Sequence, residues 1–232
     1  MNVLAIDTAT YVMGVALMRD GEPLGEIISH QKKNHSIRLM PAIQTLFKET
    51  DMVPEDLDRI VVSQGPGSYT GVRIGVTTAK TMAWALKIPI VGVSSMAMLA
   101  SNGRYFNGVM SPFFDARRGQ VFTGLYKNQG DSLEEIEADR ITMHHDWLHF
   151  IKERGESILF LSPDLDKHAA DIRHILGEQA VFANPIHCLP RPFELALAGM
   201  TLPVEENTHA FSPRYHRLAE AEAKWLEANK EK

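Results

Sequence analysis

The sequence predicts an α/β protein built from two lobes that share the element order βββαβαβ. Short apolar runs bounded by turn residues alternate with amphipathic stretches of helix length, which indicates strands and helices in succession. The same order restarts after the polar break at residues 101–104. A chain of 232 residues with 44% hydrophobic content is long enough for two such lobes. No convincing sequence repeat relates the halves, so the duplication depends on element order alone.

The first half contains three strands, a helix, a strand, a helix and a strand, followed by a short helix. Asp20-Gly21 is a hairpin signal before the third strand. Ser36 can cap the first helix, whose early turns Pro41 should kink. The predicted strands cover residues 2–6, 14–18, 24–29, 57–63 and 89–93, and the predicted helices cover residues 36–47, 70–86 and 95–99.

The second half repeats this order with weaker signals. A turn at residues 116–119 separates its first two strands. The predicted strands cover residues 109–114, 120–126, 133–141, 157–161 and 180–182, and the predicted helices cover residues 146–154, 166–176, 191–200 and 218–229. We therefore expect lobes at residues 1–103 and 104–213, and a C-terminal helix within residues 214–232.

Composition restricts the class of protein. A net charge of −5 argues against a free-standing nucleic-acid binder, which would carry a basic face. The single cysteine, Cys188, excludes an internal disulfide framework and fits a reducing compartment. No apolar stretch approaches the ~20 residues of a membrane span, and no signal peptide is visible at the start. We expect a cytoplasmic protein without membrane contact.

The loop at Gly65-Pro66-Gly67 lies between a predicted strand and a predicted helix. Backbone N–H groups at such a helix start attract anions. The glycine spacing is one residue too long for a dinucleotide-binding fingerprint, and no Gly-Lys-Ser/Thr follows as a phosphate loop requires. The loop alone is therefore a weak indication of function.

The helix after this loop carries a stripe of small residues at Gly71, Gly75, Ala79 and Ala83. Each glycine inside a helix costs roughly 1 kcal/mol relative to alanine, so another backbone should approach closely. The backbone that packs against this stripe belongs either to the protein's own sheet or to a helix of a second chain. Sequence periodicity does not separate these alternatives.

The end of the first strand is a candidate phosphate-binding turn. Asp7, Thr8 and Thr10 occupy it, and Gly65 and Gly67 could lie nearby. A phosphate-binding hairpin usually holds a glycine, whereas this turn has Ala9. The alternative is a structural turn at a strand end, for which Asp and Thr are common residues.

Three other pairs of residues have a functional and a structural interpretation. His145 and His149 have the spacing of metal ligands on one helix face, but exposed histidines at a helix start have the same pattern. Cys188 follows His187, although chain neighbours rarely face each other as nucleophile and base. The turn residues Arg117 and Arg118 could contact phosphate or a partner carboxylate, or simply face solvent. We predict no metal site and no catalytic residue.

The motifs together resemble the bacterial tRNA threonylcarbamoyladenosine biosynthesis proteins called TsaB or YeaZ. They occur in that family's order over roughly residues 1–126, and Pro213-x-Tyr215-x-Arg217 extends the match. The motifs are Ile6-Asp7-Thr8-Ala9-Thr10, His35-Ser36, Leu39-Met40-Pro41, Gly65-Pro66-Gly67-Ser68-Tyr69-Thr70-Gly71-Val72-Arg73-Ile74-Gly75, Ala79-Lys80, Gly92-Val93-Ser94-Ser95 and Asp115-Ala116-Arg117-Arg118. The resemblance implies a two-lobed actin-like ATPase fold with ribonuclease H-like lobes.

The resemblance also implies a platform without catalytic activity. Its main partner would be the paralogue TsaD, which transfers a threonylcarbamoyl group to the adenosine beside the tRNA anticodon, and the ATPase TsaE would join them. The His-x-x-x-His metal pair of TsaD corresponds here to Ser95 and Leu99, and leucine cannot ligate a metal. The chain would meet tRNA only through the complex and form a homodimer when alone. It would hold no tightly bound cofactor, with ATP or ADP at an interface shared with partners.

In this family the first two helices form the docking surface for TsaD or a second TsaB. The resemblance therefore favours a foreign helix on the small-residue stripe. One departure is Ile37, where the family usually has an acidic residue. The predicted interface residues are His35, Leu39, Ile43, Gly71, Val72, Gly75, Val76, Ala79 and Ala83. The alternatives are an independent nucleotide-dependent phosphotransferase that uses Asp7 and a peptidase of the same fold.

Overall fold

The structure, a computed structural model, describes residues 1–130 and 132–216. The helix predicted at residues 218–229 lies outside this part of the chain, as does most of the predicted segment 214–232. Within the described ranges, no helix is both long enough and apolar enough to cross a membrane.

Ten strands and six helices account for the regular structure of the described residues. The strands are β1 (Asn2–Asp7), β2 (Val12–Arg19), β3 (Glu22–His30), β4 (Arg59–Gly65), β5 (Ile90–Ser94), β6 (Val109–Arg117), β7 (Gln120–Gln129), β8 (Ser132–Met143), β9 (Ile158–Leu161) and β10 (Ala180–Phe182). The helices are α1 (Leu39–Glu49), α2 (Tyr69–Leu86), α3 (Ser95–Ser101), α4 (His144–Lys152), α5 (Leu165–Leu176) and α6 (Pro192–Thr201).

The two sheets have the same strand order. The first runs β3-β2-β1-β4-β5 and the second runs β8-β7-β6-β9-β10. In each, the first three strands are antiparallel and the last two join in parallel. The predicted two-lobed α/β fold with a repeated βββαβαβ order is therefore confirmed.

Alternating side chains along β1 divide the first lobe into two apolar layers. Leu4 and Ile6 face the layer that contains the apolar sides of α1 and α2. Val3 and Ala5 face the opposite layer. The first sheet is thus covered on both faces, as its uninterrupted apolar strands require.

Helix α6 covers that opposite face, which corrects the predicted lobe boundary. We expected residues 191–200 to complete the second lobe, but Leu195 and Ala196 pack against the first sheet. A Cβ added at Gly199 would lie 2.4 Å from Val61, so α6 lies directly on β4. The chain therefore returns to the first lobe before residue 213. An apolar helix face does not reveal from sequence which of two sheets it will cover.

The second lobe packs α4 and α5 on one face of its sheet, and its other face contacts α3. The hydroxyl of Ser94, at the start of α3, donates a hydrogen bond to Asp139 on β8. Tyr126 donates to the same carboxylate from β7. Burial raises the pKa of Asp139 above its usual value. This short helix and its polar contact join the two lobes.

The starts of α1 and α2 depend on local polar groups. Asn34, rather than the predicted Ser36, caps the short 3-10 turn that precedes α1. Pro41 lies in the first turn of α1, where its missing N–H leaves no intrahelical bond unmade, so the predicted kink is not needed. Ser68 caps α2 by accepting the Gly71 N–H at 3.3 Å. The predicted helix start after the glycine loop is confirmed.

Candidate functional site

The small-residue stripe of α2 faces the protein's own sheet. A Cβ added at Gly71 would lie 2.2 Å from the Thr8 carbonyl oxygen, and one at Gly75 would lie 2.5 Å from the Thr8 hydroxyl. Ala79 and Ala83 are fully buried in the same layer. The prediction that a foreign helix packs on this stripe is therefore wrong, because the β1–β2 turn already occupies the space.

The other predicted interface residues also face inward. Leu39, Ile43, Val72 and Val76 are buried in the core beneath α1 and α2. His35 is buried as well, and its Nε2 lies 2.7 Å from the Thr10 carbonyl oxygen. The assignment of these five side chains to an exposed interface is wrong for the same reason, since an apolar helix face is the face that the sheet covers.

Different side chains form the outer surface of the first two helices. Ile37 is 70% exposed before α1, and Trp84 is 60% exposed near the end of α2. Met40 and Tyr69 are also exposed apolar side chains, at the starts of α1 and α2. A partner that approaches these helices would meet this outer surface.

Asp7 holds the turn at the end of β1 together from inside. Its Oδ1 accepts the Ala9 N–H at 3.0 Å and the Ser63 hydroxyl, and the residue is fully buried. Its Oδ2 has no hydrogen-bond partner among the described residues. Burial raises the pKa of the Asp7 carboxyl, and the hydrogen bonds to Ser63 and Ala9 oppose that rise. Asp7 therefore lies beneath the surface and does not line the cleft described below.

The glycines of the loop allow backbone contacts within the chain. A Cβ at Gly67 would lie 2.3 Å from the Ala9 carbonyl oxygen, which also accepts the Ser68 N–H at 2.7 Å. Gly65 has a φ of +107°, and a Cβ there would lie 2.7 Å from the Arg214 carbonyl oxygen. The loop is therefore closed against the β1–β2 turn and the end of the described chain. Of the predicted nucleotide contacts, only Thr10 and Gly67 reach an open surface.

That surface belongs to a cleft of about 1000 Å³ between the lobes. Segments that are distant in sequence form its walls: the β1–β2 turn, the loop after β3, the start of α2, the β6–β7 hairpin, the start of α5 and the end of the described chain. Its basic side chains are Lys32, Lys33, His35, Arg117, Lys167, Arg214 and His216, and its acidic side chains are Asp115 and Asp164.

Both acidic groups in the cleft are paired with one lysine. Lys167 Nζ lies 2.6 Å from Asp164 and 3.0 Å from Asp115, and Asp164 is the first cause of its raised pKa. Burial alone would raise the pKa of Asp115, but the hydrogen bonds from the Arg117 N–H and Lys167 hold it below its usual value. The two carboxylates therefore do not neutralise the remaining basic side chains.

Four cations in the cleft have no such partner. Lys32, Lys33, Arg117 and Arg214 form no ion pair with a carboxylate of residues 1–130 or 132–216. Lys32 instead lies 5.4 Å from the centre of the Tyr11 ring. A chain with a net charge of −5 thus concentrates positive charge at one place.

A tight hairpin presents Arg117 to the cleft. The predicted turn at residues 116–119 is confirmed, and Arg117, Arg118 and Gly119 all have positive φ, at 65°, 54° and 74°. The Arg117 N–H donates to Asp115 Oδ1 at 2.9 Å, which fixes the first of these residues. Arg118 is exposed and does not line the cleft. The structure therefore gives the two neighbouring arginines different surroundings.

Arg214 reaches the cleft through residues 205–216, which we call the C-terminal strap. Lys80 Nζ donates to the carbonyl oxygens of His209 and Phe211 at 2.8 and 3.0 Å. The Arg214 N–H donates to the Gln64 carbonyl oxygen at 2.8 Å. The strap is thus bonded to α2 and β4, and carries Arg214 to the rim of the cleft.

Aromatic rings secure the end of the strap. Tyr215 stacks on Tyr69 at a centroid distance of 5.1 Å. Arg73 lies 4.1 Å from the centre of the Tyr69 ring and donates to the Tyr215 hydroxyl at 2.5 Å. These contacts place two tyrosines at the start of α2, beside the cleft.

The other sequence candidates do not join this cleft. The rings of His145 and His149 lie 4.5 Å apart on α4, and both residues are exposed. Cys188 is buried, and burial raises the pKa of its thiol, which disfavours a nucleophilic thiolate. Among the described residues, no three His, Cys, Asp or Glu side chains are grouped so that they could hold a metal ion.

Sequence reasoning missed most of the cleft. Lys32 and Lys33 had a weak signal as adjacent lysines just before the predicted first helix. Arg214 and Lys167 had none, because nothing in the chain order indicates that residues 32, 117, 167 and 214 meet.

A buried histidine pair was also missed. His144 Nδ1 and His168 Nδ1 lie 2.9 Å apart, where α4 meets α5. Burial, followed by the neighbouring His168, lowers the pKa of His144 to about 4. Neither ring lines the cleft, and both pack against Phe113 of the second lobe, although His168 Nε2 lies 3.8 Å from Asp115 Oδ1 in the cleft wall.

Comparison with known proteins finds relatives that share one name. The chain is 50% identical over 230 residues to the tRNA threonylcarbamoyladenosine biosynthesis protein TsaB of Bacillus subtilis, covering 99% of this chain and 100% of that protein. It is 33% identical over 146 residues to the protein of that name from Escherichia coli, covering 60% of this chain and 62% of the other. A sequence model of the family described as "TsaD: tRNA N6-adenosine threonylcarbamoyltransferase" matches residues 22–225.

Solved structures agree on the fold. The structure of YeaZ from Pseudomonas aeruginosa superposes with a TM-score of 0.76 over 92% of this chain and 99% of that chain, at 24% identity. At this level of identity the likeness concerns the arrangement of the two lobes.

Proposed function

Because this chain belongs to the TsaB family of tRNA threonylcarbamoyladenosine biosynthesis proteins, we propose that it is a non-catalytic subunit of that pathway. It binds and activates the catalytic paralogue TsaD, which transfers the threonylcarbamoyl group to the adenosine next to the tRNA anticodon. The observation that carries the proposal is the 50% identity to a TsaB protein over its entire length.

The side chains at two positions of α3 support a role without catalysis. Ser95 and Leu99 stand where the resemblance places the two metal-binding histidines of TsaD. Leu99 has no donor atom for a metal, and both residues are fully buried between the lobes. The phosphotransferase alternative depended on Asp7, which is sealed beneath the β1–β2 turn.

The proposed docking surface is the outer side of α1 and α2, with the turn before α1. Ile37, Met40 and Trp84 expose apolar area there. The small-residue stripe contributes indirectly, since it seats α2 firmly on the sheet and so fixes the position of this surface. In the absence of TsaD, the same surface would pair with a second copy of the chain.

Further members of the assembly follow from the family. TsaE joins the complex of this chain with TsaD, and tRNA binds to the assembly. The family resemblance places ATP or ADP at an interface shared between subunits.

Co-purification with TsaD tests the docking surface. Trp84→Glu places a charge on that surface, and Ile186→Glu is the matched control, since Trp84 and Ile186 are 60% and 61% exposed and Ile186 lies in a short 3-10 turn outside α1 and α2. We expect TsaD to co-purify with the wild-type chain and with Ile186→Glu, and its recovery to fall at least tenfold with Trp84→Glu. Equal recovery with both variants would contradict the proposed surface.

A further inference from the structure

We propose that the cleft between the lobes binds the phosphate backbone of RNA, through Lys32 and Lys33 on one wall and Arg117 and Arg214 on the others. The assignment of tRNA as the physiological RNA rests on the proposed function. The site itself follows from the charge, shape and composition of the cleft.

The absence of ion pairs to four cations among the described residues is the first reason. Four cationic side chains face one cavity without an ion pair to any described carboxylate, although acidic residues exceed basic ones in the whole chain, 29 to 24. An anion that enters the cleft therefore meets basic side chains that no described carboxylate binds within ion-pair distance. The two carboxylates in the cleft do not compete for the four cations, because Lys167 already holds both.

The distribution of the cations favours a chain of phosphates over a single one. Lys32 and Lys33 follow β3, Arg117 lies in the β6–β7 hairpin, and Arg214 ends the C-terminal strap. The cleft volume of about 1000 Å³ lies at the upper end of the ~300–1,000 Å³ typical of small-molecule sites. Cations that come from three separate segments can each bind a different phosphate of one strand.

Aromatic rings beside the cations supply the second element of an RNA site. Tyr11 lies in the cleft, and its hydroxyl donates to the Pro163 carbonyl oxygen of the second lobe at 2.7 Å. Tyr69 and Tyr215 stack at the rim and are both exposed. His30 stacks on Tyr11 at 5.2 Å, and Arg73 lies over Tyr69. Unpaired bases would stack on the ring area that these contacts leave exposed, while the cations bind the backbone.

A nucleotide held through a divalent cation fits the cleft less well. Asp7 is buried, and Asp115 and Asp164 are bonded to Lys167, so the described residues offer no free carboxylate in the cleft for a metal ion. The Gly-Pro-Gly loop is closed against Ala9. Phosphates on the walls of the cleft are therefore favoured over a polyphosphate at its floor.

Two adjacent arginines provide the test. Arg117 and Arg118 both have positive φ in the same hairpin, but only Arg117 lines the cleft. Arg117→Glu and Arg118→Glu therefore make the same change in net charge, each at a position with positive φ. The measurement is the binding of a fluorescein-labelled 12-nucleotide oligouridylate to the full chain, followed by fluorescence anisotropy between about 30 and about 200 mM salt. Comparison of the two variants distinguishes binding in the cleft from nonspecific electrostatic attraction.

We expect Arg117→Glu to weaken oligouridylate binding at least tenfold and Arg118→Glu to weaken it less than twofold. The slope of log Kd against log salt should fall by about 0.7 for each cation removed from a single-stranded site. The double variant Lys32→Glu/Lys33→Glu should weaken binding as much as Arg117→Glu does. Its control is Lys48→Glu/Lys152→Glu, which changes two exposed lysines on helices. Equal effects of cleft and control variants would overturn the proposal, as would the absence of wild-type binding.

A competition arm distinguishes RNA from free nucleotide. Unlabelled tRNA should displace the oligouridylate, whereas 1 mM ATP with magnesium should leave it bound. Displacement by micromolar ATP would assign the cleft to nucleotide and overturn the RNA proposal.

TsaD co-purification is measured for the same variants and should be unchanged by Arg117→Glu. Failure of TsaD to bind the wild-type chain would refute the proposed function alone, since the RNA measurement uses the chain without a partner.

Discussion

The Thr8 hydroxyl donates a 2.7 Å hydrogen bond to the carbonyl oxygen of Gly71, and so joins the turn after β1 to the first turn of α2. The same hydroxyl lies 2.5 Å from the position that a Cβ at Gly75 would occupy. Both glycines are therefore required by contacts inside one chain. The helix gains a fixed position on the sheet from this arrangement, and its opposite side is left available for other contacts.

Alanine at either glycine should destabilise the fold. Gly71→Ala would press against the Thr8 backbone oxygen, and Gly75→Ala only against its side chain, so the first change should cost more. Overpacking costs ~1–3 kcal/mol, and the better helix propensity of alanine returns at most ~1 kcal/mol of that. Urea unfolding measures both, with the exposed Thr77→Ala as control. Unchanged stability together with lost TsaD binding would show that the stripe is an interface after all.

Asp7→Asn should become more stable relative to wild type as pH rises. The pKa of Asp7 is raised in the folded state, so its contribution to stability is complete below the unfolded value of 3.8 and is lost as pH rises through the folded pKa. Asp115 has a lowered pKa, so Asp115→Asn should show the opposite trend. Urea unfolding between pH 4 and 8 gives both differences. A relative loss of stability by Asp7→Asn with rising pH would mean that the ionised carboxylate is favoured in the fold.

The histidine pair should make the protein sensitive to acid. The pKa of His144 falls from 6.5 to about 4 on folding, so the unfolded chain binds the proton first and stability is lost as pH falls from 6.5 to 4. The loss from this group is up to about 3 kcal/mol. His144→Phe retains the contact with Phe113 and should remove most of that loss, whereas the exposed His145→Phe should not. An unchanged pH profile for His144→Phe would contradict the assignment.

Ser94→Ala should weaken both α3 and the junction of the lobes. The Ser94 hydroxyl oxygen accepts the N–H groups of Met96 and Ala97 at 3.0 and 3.1 Å and donates to Asp139. Loss of a helix cap and of a bond to a buried carboxylate should cost roughly 2 kcal/mol. Ser101→Ala, which removes one bond to a helix carbonyl, should cost less than about 0.5 kcal/mol. Similar unfolding midpoints for the two variants would count against the junction.

The sequence was sufficient for the order of the elements because each strand and helix carries its own local pattern. Val61 and Val62 lead into the Gly-Pro-Gly loop, and Ser68 caps the helix that follows, without reference to the rest of the chain. Local patterns do not identify which segment packs against a given helix face. The stripe at Gly71 and Gly75 indicates close approach, but a backbone from the same chain and one from another chain impose the same requirement.

The cleft could not be predicted for a related reason. Its cations come from segments as far apart as Lys33 and Arg214, and only the crossing of α6 back to the first lobe brings the C-terminal strap to the cleft. The pattern of α6 shows an apolar face around Leu195 but not which sheet it covers. The cleft depends on contacts between segments that are distant in sequence, and the periodicity of a single helix carries no information about those contacts.

Reconstituted modification of tRNA tests the central claim most directly. Unmodified tRNA, threonylcarbamoyl donor, TsaD and TsaE are incubated with and without this chain, and threonylcarbamoyladenosine is counted by mass spectrometry of the digested nucleosides. We predict product only when this chain and TsaD are both present, none with this chain alone, and at least a tenfold loss with Trp84→Glu relative to Ile186→Glu. Product from this chain without TsaD, or equal product from TsaD with and without this chain, would contradict the account.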